Sequence, residues 1–311
     1  MPDLVGTPER STERRPQLSI VIPAYNEQEN IGPCLDDLMA FLVDEHHIAT
    51  EVIVVNDNSQ DQTEAVVLER KQRWPSIRLV RRQPPGGFGR AIRTGLQYVR
   101  GEVVIVYMGD RSDHPVDAKR YYDTIQEGYD CVFGSRFVRG AEVKRYPRVK
   151  LIVNRLVNKA IEWMFWTSMN DLTNAFKAYR ADVIERCGPY RACHFNITLE
   201  MSLSALISGY RIKEIPIGWE GRTWGSTNLR MREMGRRYLC TLLMLFFQRV
   251  LMSDDVVAEG NREMQNSIEV SLPEKIRPRP VARTSIGSDQ SQRAEEQDHD
   301  SGGNTPGGEP M

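Results

Sequence analysis

Residues 18–27 read LSIVIPAYNE. A β-branched apolar run closed by Pro23 and the polar Tyr25, Asn26 and Glu27 is the pattern of a strand buried on both faces that empties into a loop. Working outward, the same pattern returns at 51–57 (EVIVVND), in shorter form at 77–82 (IRLVRR) and again at 102–110 (EVVIVYMGD). Between these runs the spacing changes to that of helices. Ile31, Leu35, Leu38, Met39 and Leu42 recur on one face of a segment from Asn30 to about Asp44. A second helix is expected over Asp61–Arg73, and a third after a glycine-rich turn at Gly86–Gly89, through about Val99. Strands alternating with helices predict an α/β protein with a mostly parallel sheet flanked by helices. Right-handed crossovers then bring the loop after every strand to one edge of the sheet. The polar clusters Tyr25–Glu27, Asn56–Asp61 and Asp110–Asp113 all fall in such loops, so three separate segments are expected to converge on one crevice.

Further along, YDCVFGSRF (129–137) and YRIKEIPIGW (210–219) read as strands, and 149–166 and 197–208 as helices. A basic and then strongly apolar helix is expected at 229–252, with Arg230, Arg232, Arg236 and Arg237 ahead of LCTLLMLFF. That composition suits a helix lying on an anionic membrane, a core helix, or an oligomer contact. Residues 1–17 and 253–311 are polar and poor in apolar anchors, and are expected to be disordered. The organisation is thus an arm (1–17), a main domain (18–228), the basic and apolar helix (229–252) and a tail (253–311).

Net charge is −1, which gives no overall basic field for nucleic acid. The Arg211–Arg249 stretch is nevertheless basic and Glu295–Asp300 acidic. Five scattered cysteines without a CxxC pair fit reduced thiols rather than a disulfide framework or a zinc site. The N-terminal residues lack the apolar core of a signal peptide, and no apolar run reaches the roughly 18–20 residues that span a bilayer. A cytoplasmic protein, peripheral at the cytoplasmic face of a membrane, is expected.

The strand-end residues carry the chemistry. Asp110 and Asp113 can supply oxygens to a divalent cation if their loop turns, though Asp113 stands equally well to cap a helix starting at HPVD. Asp57 can accept from a base or ribose, or share an Asx turn with Asn56, Asn58 and Ser59. Glu27 can do the same or open the first helix. GGFGRAIRTG (86–95) lacks the lysine and hydroxyl of a P-loop and does not follow the first strand; Arg90 beside it is a candidate phosphate contact or an exposed helix arginine. The first strand ends in PAYNE rather than G-x-G-x-x-G, which disfavours a nicotinamide dehydrogenase.

Taken in order, PAYNE, VVNDNSQDQT, GGFGRAIRTG, MGDRSDHP, GSRFVRG, DLTNAFKAYR and IKEIPIGWEGRTWGSTNL resemble the dolichol-phosphate mannosyltransferase branch of family 2 glycosyltransferases, over about Leu18–Met252. The resemblance implies a GT-A fold, an inverting mechanism and Mg²⁺ or Mn²⁺ at Asp110 and Asp113. It implies a nucleotide-sugar donor, GDP-mannose or a UDP-hexose, whose nucleotide is held by Pro23, Tyr25, Glu27 and Asp57; Gly87, Arg90 and Asp110 complete the expected donor contacts. The sequence departs from the commonest D-A-D metal motif, since Met108 stands at its first position and Ser112 at the later ligand position. Asn56 and Asn228 also replace commoner residues. Whether Arg111 takes over part of the metal's charge is left open by the motif.

If the acceptor is a polyprenyl phosphate, it is already anionic and needs positive charge more than a base. Ser135, Arg136, Arg148 and Arg222 are then the expected acceptor contacts, with Arg136 and Arg222 also in the catalytic set beside Asp110 and Asp113. If the acceptor is a glycan or glycolipid hydroxyl, a carboxylate base is required, and Asp171 or Glu200 is the candidate. Glu200 sits on the apolar ITLEMSLSALI helix and needs a partner if buried; an arginine of the acceptor face could be that partner, which would make Glu200 structural. A catalytically inactive domain that only binds nucleotide-sugar is the third possibility, prompted by the altered metal motif.

Overall fold

A computed structural model describes residues 15–221 and 231–251. The first half of the chain runs β1 (Leu18–Ala24), α1 (Ile31–Met39, continued by a π-helical turn at Ala40–Glu45), β2 (Thr50–Asn56), α2 (Thr63–Arg73), β3 (Ile77–Arg81), α3 (Phe88–Leu96) and β4 (Val103–Val106). There follow α4 (Pro115–Gln126), β5 (Cys131–Ser135), β6 (Glu142–Lys144), α5 (Arg148–Phe165) and β7 (Lys177–Arg180). The chain closes with α6 (Ala181–Cys187), α7 (Ile197–Ile207), β8 (Ile212–Pro216), β9 (Gly218–Glu220) and α8 (Met231–Leu251).

Seven strands form one sheet in the order β3-β2-β1-β4-β7-β5-β8. Neighbours pair in parallel except around β7, which runs antiparallel to both β4 and β5. The continuous apolar runs follow from burial on both faces, with alternate residues entering different cores. Leu18, Ile20 and Ile22 of β1 pack with Ile31, Leu35 and Leu38 of α1 and Tyr121 of α4. Val21, one residue out of step, joins Ala91 and Ile92 of α3, Leu199 and Leu203 of α7, and Leu242 and Leu245 of α8.

Three expectations change. β7, which the sequence shows only within a motif, is an interior strand antiparallel to both its neighbours. The run expected as one strand over 210–219 is two: β8 ends at Pro216 on the edge of the sheet, where a missing N–H is tolerated, and β9 is a separate strand. Ile217 N donates to Ser135 O (3.2 Å), and β9 then leaves to pair with β6 in a separate two-stranded ribbon. The expected third helix ends at Leu96 rather than Val99. The basic and apolar helix is present as α8, packed through Leu242 and Leu245, while Leu239, Leu243, Phe247 and Val250 face outward. Most of the expected arm, the expected tail, Asn228 and Arg222 lie outside the described residues.

Candidate active site

The parallel order places the ends of β1, β2 and β4 side by side, and hydrogen bonds lock their loops together. Asn26 N donates to Ser59 Oγ (3.0 Å), Gln60 N to Asn26 Oδ1 (2.8 Å) and Gln28 N to Asp61 Oδ2 (3.1 Å). Glu27 N donates to Thr63 Oγ1 (2.8 Å), and the buried Glu27 carboxylate accepts from Asn30 Nδ2 (2.8 Å) at the start of α1. Pro23 ends the strand, and Tyr25 stands half exposed at the rim of this junction.

The Asx turn at the end of β2 belongs to Asn56, whose Oδ1 accepts from Ser59 N (3.0 Å). Asp57 is therefore left for another task. Its buried carboxylate accepts from Gly87 N (2.6 Å) and pairs with the Arg82 guanidinium. Glycine is required at 87 because a Cβ there would sit 2.5 Å from Cys193 O. Arg90 reaches back to Gly86 O (2.9 Å), so it braces the glycine turn as well as flanking it. The structure thus joins Asp57, Gly87 and Arg90 in one element. Arg82, which sequence reasoning missed, completes it; the only signal was a polar pair closing the third strand.

The loop after β4 folds back on itself. Met108 N donates to Asp113 Oδ2 (3.0 Å), and the Tyr107 hydroxyl donates to Asp113 O (2.7 Å). Asp113 does not cap α4, whose N-cap residue His114 makes no side-chain cap bond. Asp110 accepts from Ser112 N and Oγ (3.1 and 2.6 Å), while Arg111, at φ +62°, pairs with Asp37 (3.0 Å). Asp113 is 3% exposed, and its Oδ1 has no protein partner. Burial and the neighbouring Asp110 charge push its carboxyl well above the usual range. Burial likewise pushes up the Cys34 thiol beneath the loop. Asp110 and Asp113 open onto a cleft of about 220 Å³ shared with Arg111, His114, Arg145 and Glu220. Among the described residues no group of three or more carboxylate, imidazole or thiol ligands is gathered; this carboxylate pair is the set on offer.

On the other side of β4, Arg136 is buried and gripped by Asp171, with Nε and Nη2 each 2.7 Å from a carboxylate oxygen. Arg136 N adds a third bond to Asp171 Oδ2 (3.0 Å), and Arg136 Nη1 lies 3.4 Å from the Tyr146 hydroxyl. Ser135 is fully buried, its hydroxyl donating to Asn170 Oδ1 (2.6 Å). Arg136 and Ser135 therefore shape this wall from within. Arg148 starts α5 but its side chain, like Arg222, lies outside the described residues. The two candidate bases are both engaged. Asp171 is bound to Arg136, and the buried Glu200 accepts from Arg191 N (2.8 Å) and Ala192 N (2.7 Å). Backbone amides, not an arginine side chain, satisfy Glu200.

Residues 19–188, more than half of the chain, match the profile of glycosyl transferase family 2. The chain belongs to glycosyl transferase family 2, and is a glycosyltransferase. Among its relatives, the polyprenol monophosphomannose synthase of Mycolicibacterium smegmatis is 27% identical over 218 residues, covering 68% of this chain and 80% of that protein. The dolichol-phosphate mannosyltransferase of Pyrococcus furiosus is 25% identical over 216 residues. That alignment covers 69% of this chain but only 59% of the archaeal protein. Among solved structures, glucosyl-3-phosphoglycerate synthase of Mycobacterium tuberculosis with Mn²⁺, UDP and glucosyl-3-phosphoglycerate superposes with a TM-score of 0.57 at 18% identity. It covers 77% of this chain and 81% of the other. The mostly parallel sheet flanked by helices is thus the GT-A fold.

Proposed function

We propose that this enzyme moves a hexose, with mannose favoured, from a nucleotide-sugar to a polyprenyl or dolichyl phosphate, with inversion at the anomeric carbon. The observation that carries the reading is the state of the two candidate bases. Asp171 is spent on Arg136 and Glu200 on backbone amides, so a hydroxyl acceptor would find neither free to take its proton. A phosphate acceptor needs no base, because its nucleophilic oxygen is already anionic. The names of the two curated relatives support the same acceptor class and the choice of mannose.

In this reading the nucleotide of GDP-mannose or a UDP-hexose sits over the β1 and β2 ends, against Tyr25, Glu27 and the Asp57–Gly87 element. The orphaned Asp113 Oδ1 and the adjacent Asp110 fit a hard divalent cation. Asp110 and Asp113 would hold Mg²⁺ or Mn²⁺, which when bound supplies charge to neutralise the leaving diphosphate. Arg136, Arg148 and Arg222 are assigned to the acceptor side.

The lipid would be met at a membrane surface. No helix among the described residues is long and apolar enough to cross a bilayer. α5 exposes Ile152, Leu156 and Trp163 (81%), with Trp166 (68%) at its C-terminal cap, and α8 exposes Leu239, Leu243, Phe247 and Val250. The helices are neighbours, with Phe165 and Phe246 rings 6.4 Å apart and Arg249 Nη1 bonded to Phe165 O (2.6 Å). Tryptophans among arginines on an apolar face suit the interface of an anionic bilayer. The five cysteines are all free, as a reducing compartment keeps them, which supports the cytoplasmic face.

Calorimetric titration of GDP and UDP with and without Mg²⁺ tests the donor half. Tight binding is expected only with metal, and is lost in Asp110→Ala. Metal-independent binding of equal strength in both proteins would remove the metal from the account.

A further inference from the structure

Arg145, which none of the motifs singles out, stands at the mouth of the cleft between β6 and α5. It lines the same cavity as Asp110 and Asp113. Its backbone lies in the left-handed region, at φ +56°, where a residue with a large side chain is held only when its surroundings insist. Here they do. Gly221 N donates to Lys144 O (3.1 Å), and Glu220 N donates to Ser112 O (3.2 Å) in the loop that carries the two aspartates. A Cβ on Gly221 would lie 2.7 Å from Arg145 O, so the two backbones pass at close quarters. The β6–β9 ribbon is thereby fastened to the metal-competent loop with Arg145 at its tip.

The Arg145 guanidinium pairs with Glu220, both side chains being more than a third exposed, and such a pair contributes little by itself. It is an arrangement that a better anion can displace. The side of the cleft decides which anion. Tyr146, next in the chain, accepts from Asn154 Nδ2 of α5 (2.5 Å), lies within reach of Arg136, and packs its ring 4.9 Å from that of Trp219. In the sheet order β3-β2-β1-β4-β7-β5-β8, the Asp57 element lies on one side of β4. β5 and β8, which lead into the ribbon, lie on the other.

We infer that Arg145 binds the phosphate of the acceptor and helps to set the enzyme's preference for a phosphate-bearing substrate, with Glu220 holding the guanidinium until that phosphate arrives. This rests on the acceptor class proposed above. Guanidinium offers paired N–H donors that match phosphate oxygens, which an ammonium or a neutral side chain cannot reproduce.

The test is steady-state transfer to a short polyprenyl phosphate by wild type, Arg145→Gly and Arg145→Lys, with the thermal midpoint and the nucleotide Kd measured alongside. Glycine removes the guanidinium and relieves the left-handed backbone. Its thermal midpoint should hold or rise while the KM for polyprenyl phosphate climbs about tenfold or more, with nucleotide Kd unchanged. Lysine should recover part of that KM. A glycine variant with unchanged acceptor KM would reduce the pair to a surface contact and overturn the assignment. A rise in nucleotide Kd in place of acceptor KM would overturn it too, by moving Arg145 to the donor. If wild type itself transfers nothing to polyprenyl phosphate, the acceptor class falls and this role falls with it. Normal transfer with an indifferent Arg145 sinks the present inference alone.

Discussion

Lys177 is the residue whose position is hardest to explain without a function for its neighbours. It is almost fully buried in the antiparallel strand β7, donating to Leu172 O (2.6 Å) and Ser202 Oγ (2.5 Å), with its ammonium 5.0 Å from the Phe133 ring centre. Through Leu172 it pins the loop that presents Asp171 to Arg136. Burial pushes its pKa down to about 7. The sign follows from linkage. The unfolded chain keeps this lysine protonated to about pH 10.4, so the cost of burying the charge is fully present below about pH 7 and fades as pH rises towards 10.4. Relative to Lys177→Met, wild type should therefore gain stability between about pH 7 and 10. Urea denaturation of both proteins across that range checks it, and a difference independent of pH would show that the lysine keeps its proton in the fold throughout the range. Single residues were unevenly legible in the sequence. Asp57, Asp110 and Asp113 announced themselves as polar residues closing apolar runs. Arg82, Arg145 and Lys177 did not, because their roles depend on partners far away in sequence, and an isolated arginine or lysine reads as surface.

The strands and helices follow from hydrophobic pattern wherever an element is long and buried on a known face. β1, β2 and β5 were legible for that reason, as were α1, α5 and α7. β7 was hidden because four residues that include a lysine and an arginine do not resemble a buried strand. β6 and β9 were hidden because three-residue strands carry no period. The edge of the sheet opposite the site holds a second buried polar element. Glu51 is 1% exposed and accepts from Ser19 Oγ (2.6 Å), Arg100 N (2.7 Å) and Arg100 Nε (2.9 Å). Ser19 Oγ in turn accepts from Gly101 N (2.8 Å), which ties the starts of β1, β2 and β4 together. Glu51→Ala strands these donors and should cost about 1–3 kcal/mol of stability. Because the element lies at the far end of the strands, turnover per folded molecule should be unchanged. Chemical denaturation and kcat on the same preparation check both halves; a matching loss of kcat would mean that the two edges are coupled.

At the scale of the molecule, the sheet divides the work. In the proposed reading the β1 and β2 ends take the nucleotide, the β4 loop a cation and diphosphate, and the β5 side the acceptor. The α5–α8 face adjoins the acceptor side through Tyr146 and Asn154, so a lipid resting there would have its phosphate end near Arg136. Convergence of three loops was legible in the sequence because strand alternation dictates it. The apolar face of α5 was not, since a buried and an exposed amphipathic helix have the same period. Replacing Trp163 and Trp166 together by serine should weaken co-sedimentation with vesicles containing anionic lipid by about tenfold, while leaving nucleotide binding intact. Unchanged sedimentation would direct attention to an oligomer contact on this face.

The most direct test of the central claim is product formation from a panel of GDP- and UDP-sugars with Mg²⁺ or Mn²⁺, offered a short polyprenyl phosphate beside the matching polyprenol. The account predicts sugar transfer from one donor to the phosphate and none to the free alcohol, because Asp171 and Glu200 are both engaged and neither is free to take a hydroxyl's proton. Efficient transfer to the alcohol, or to a glycan hydroxyl in place of the phosphate, would contradict it.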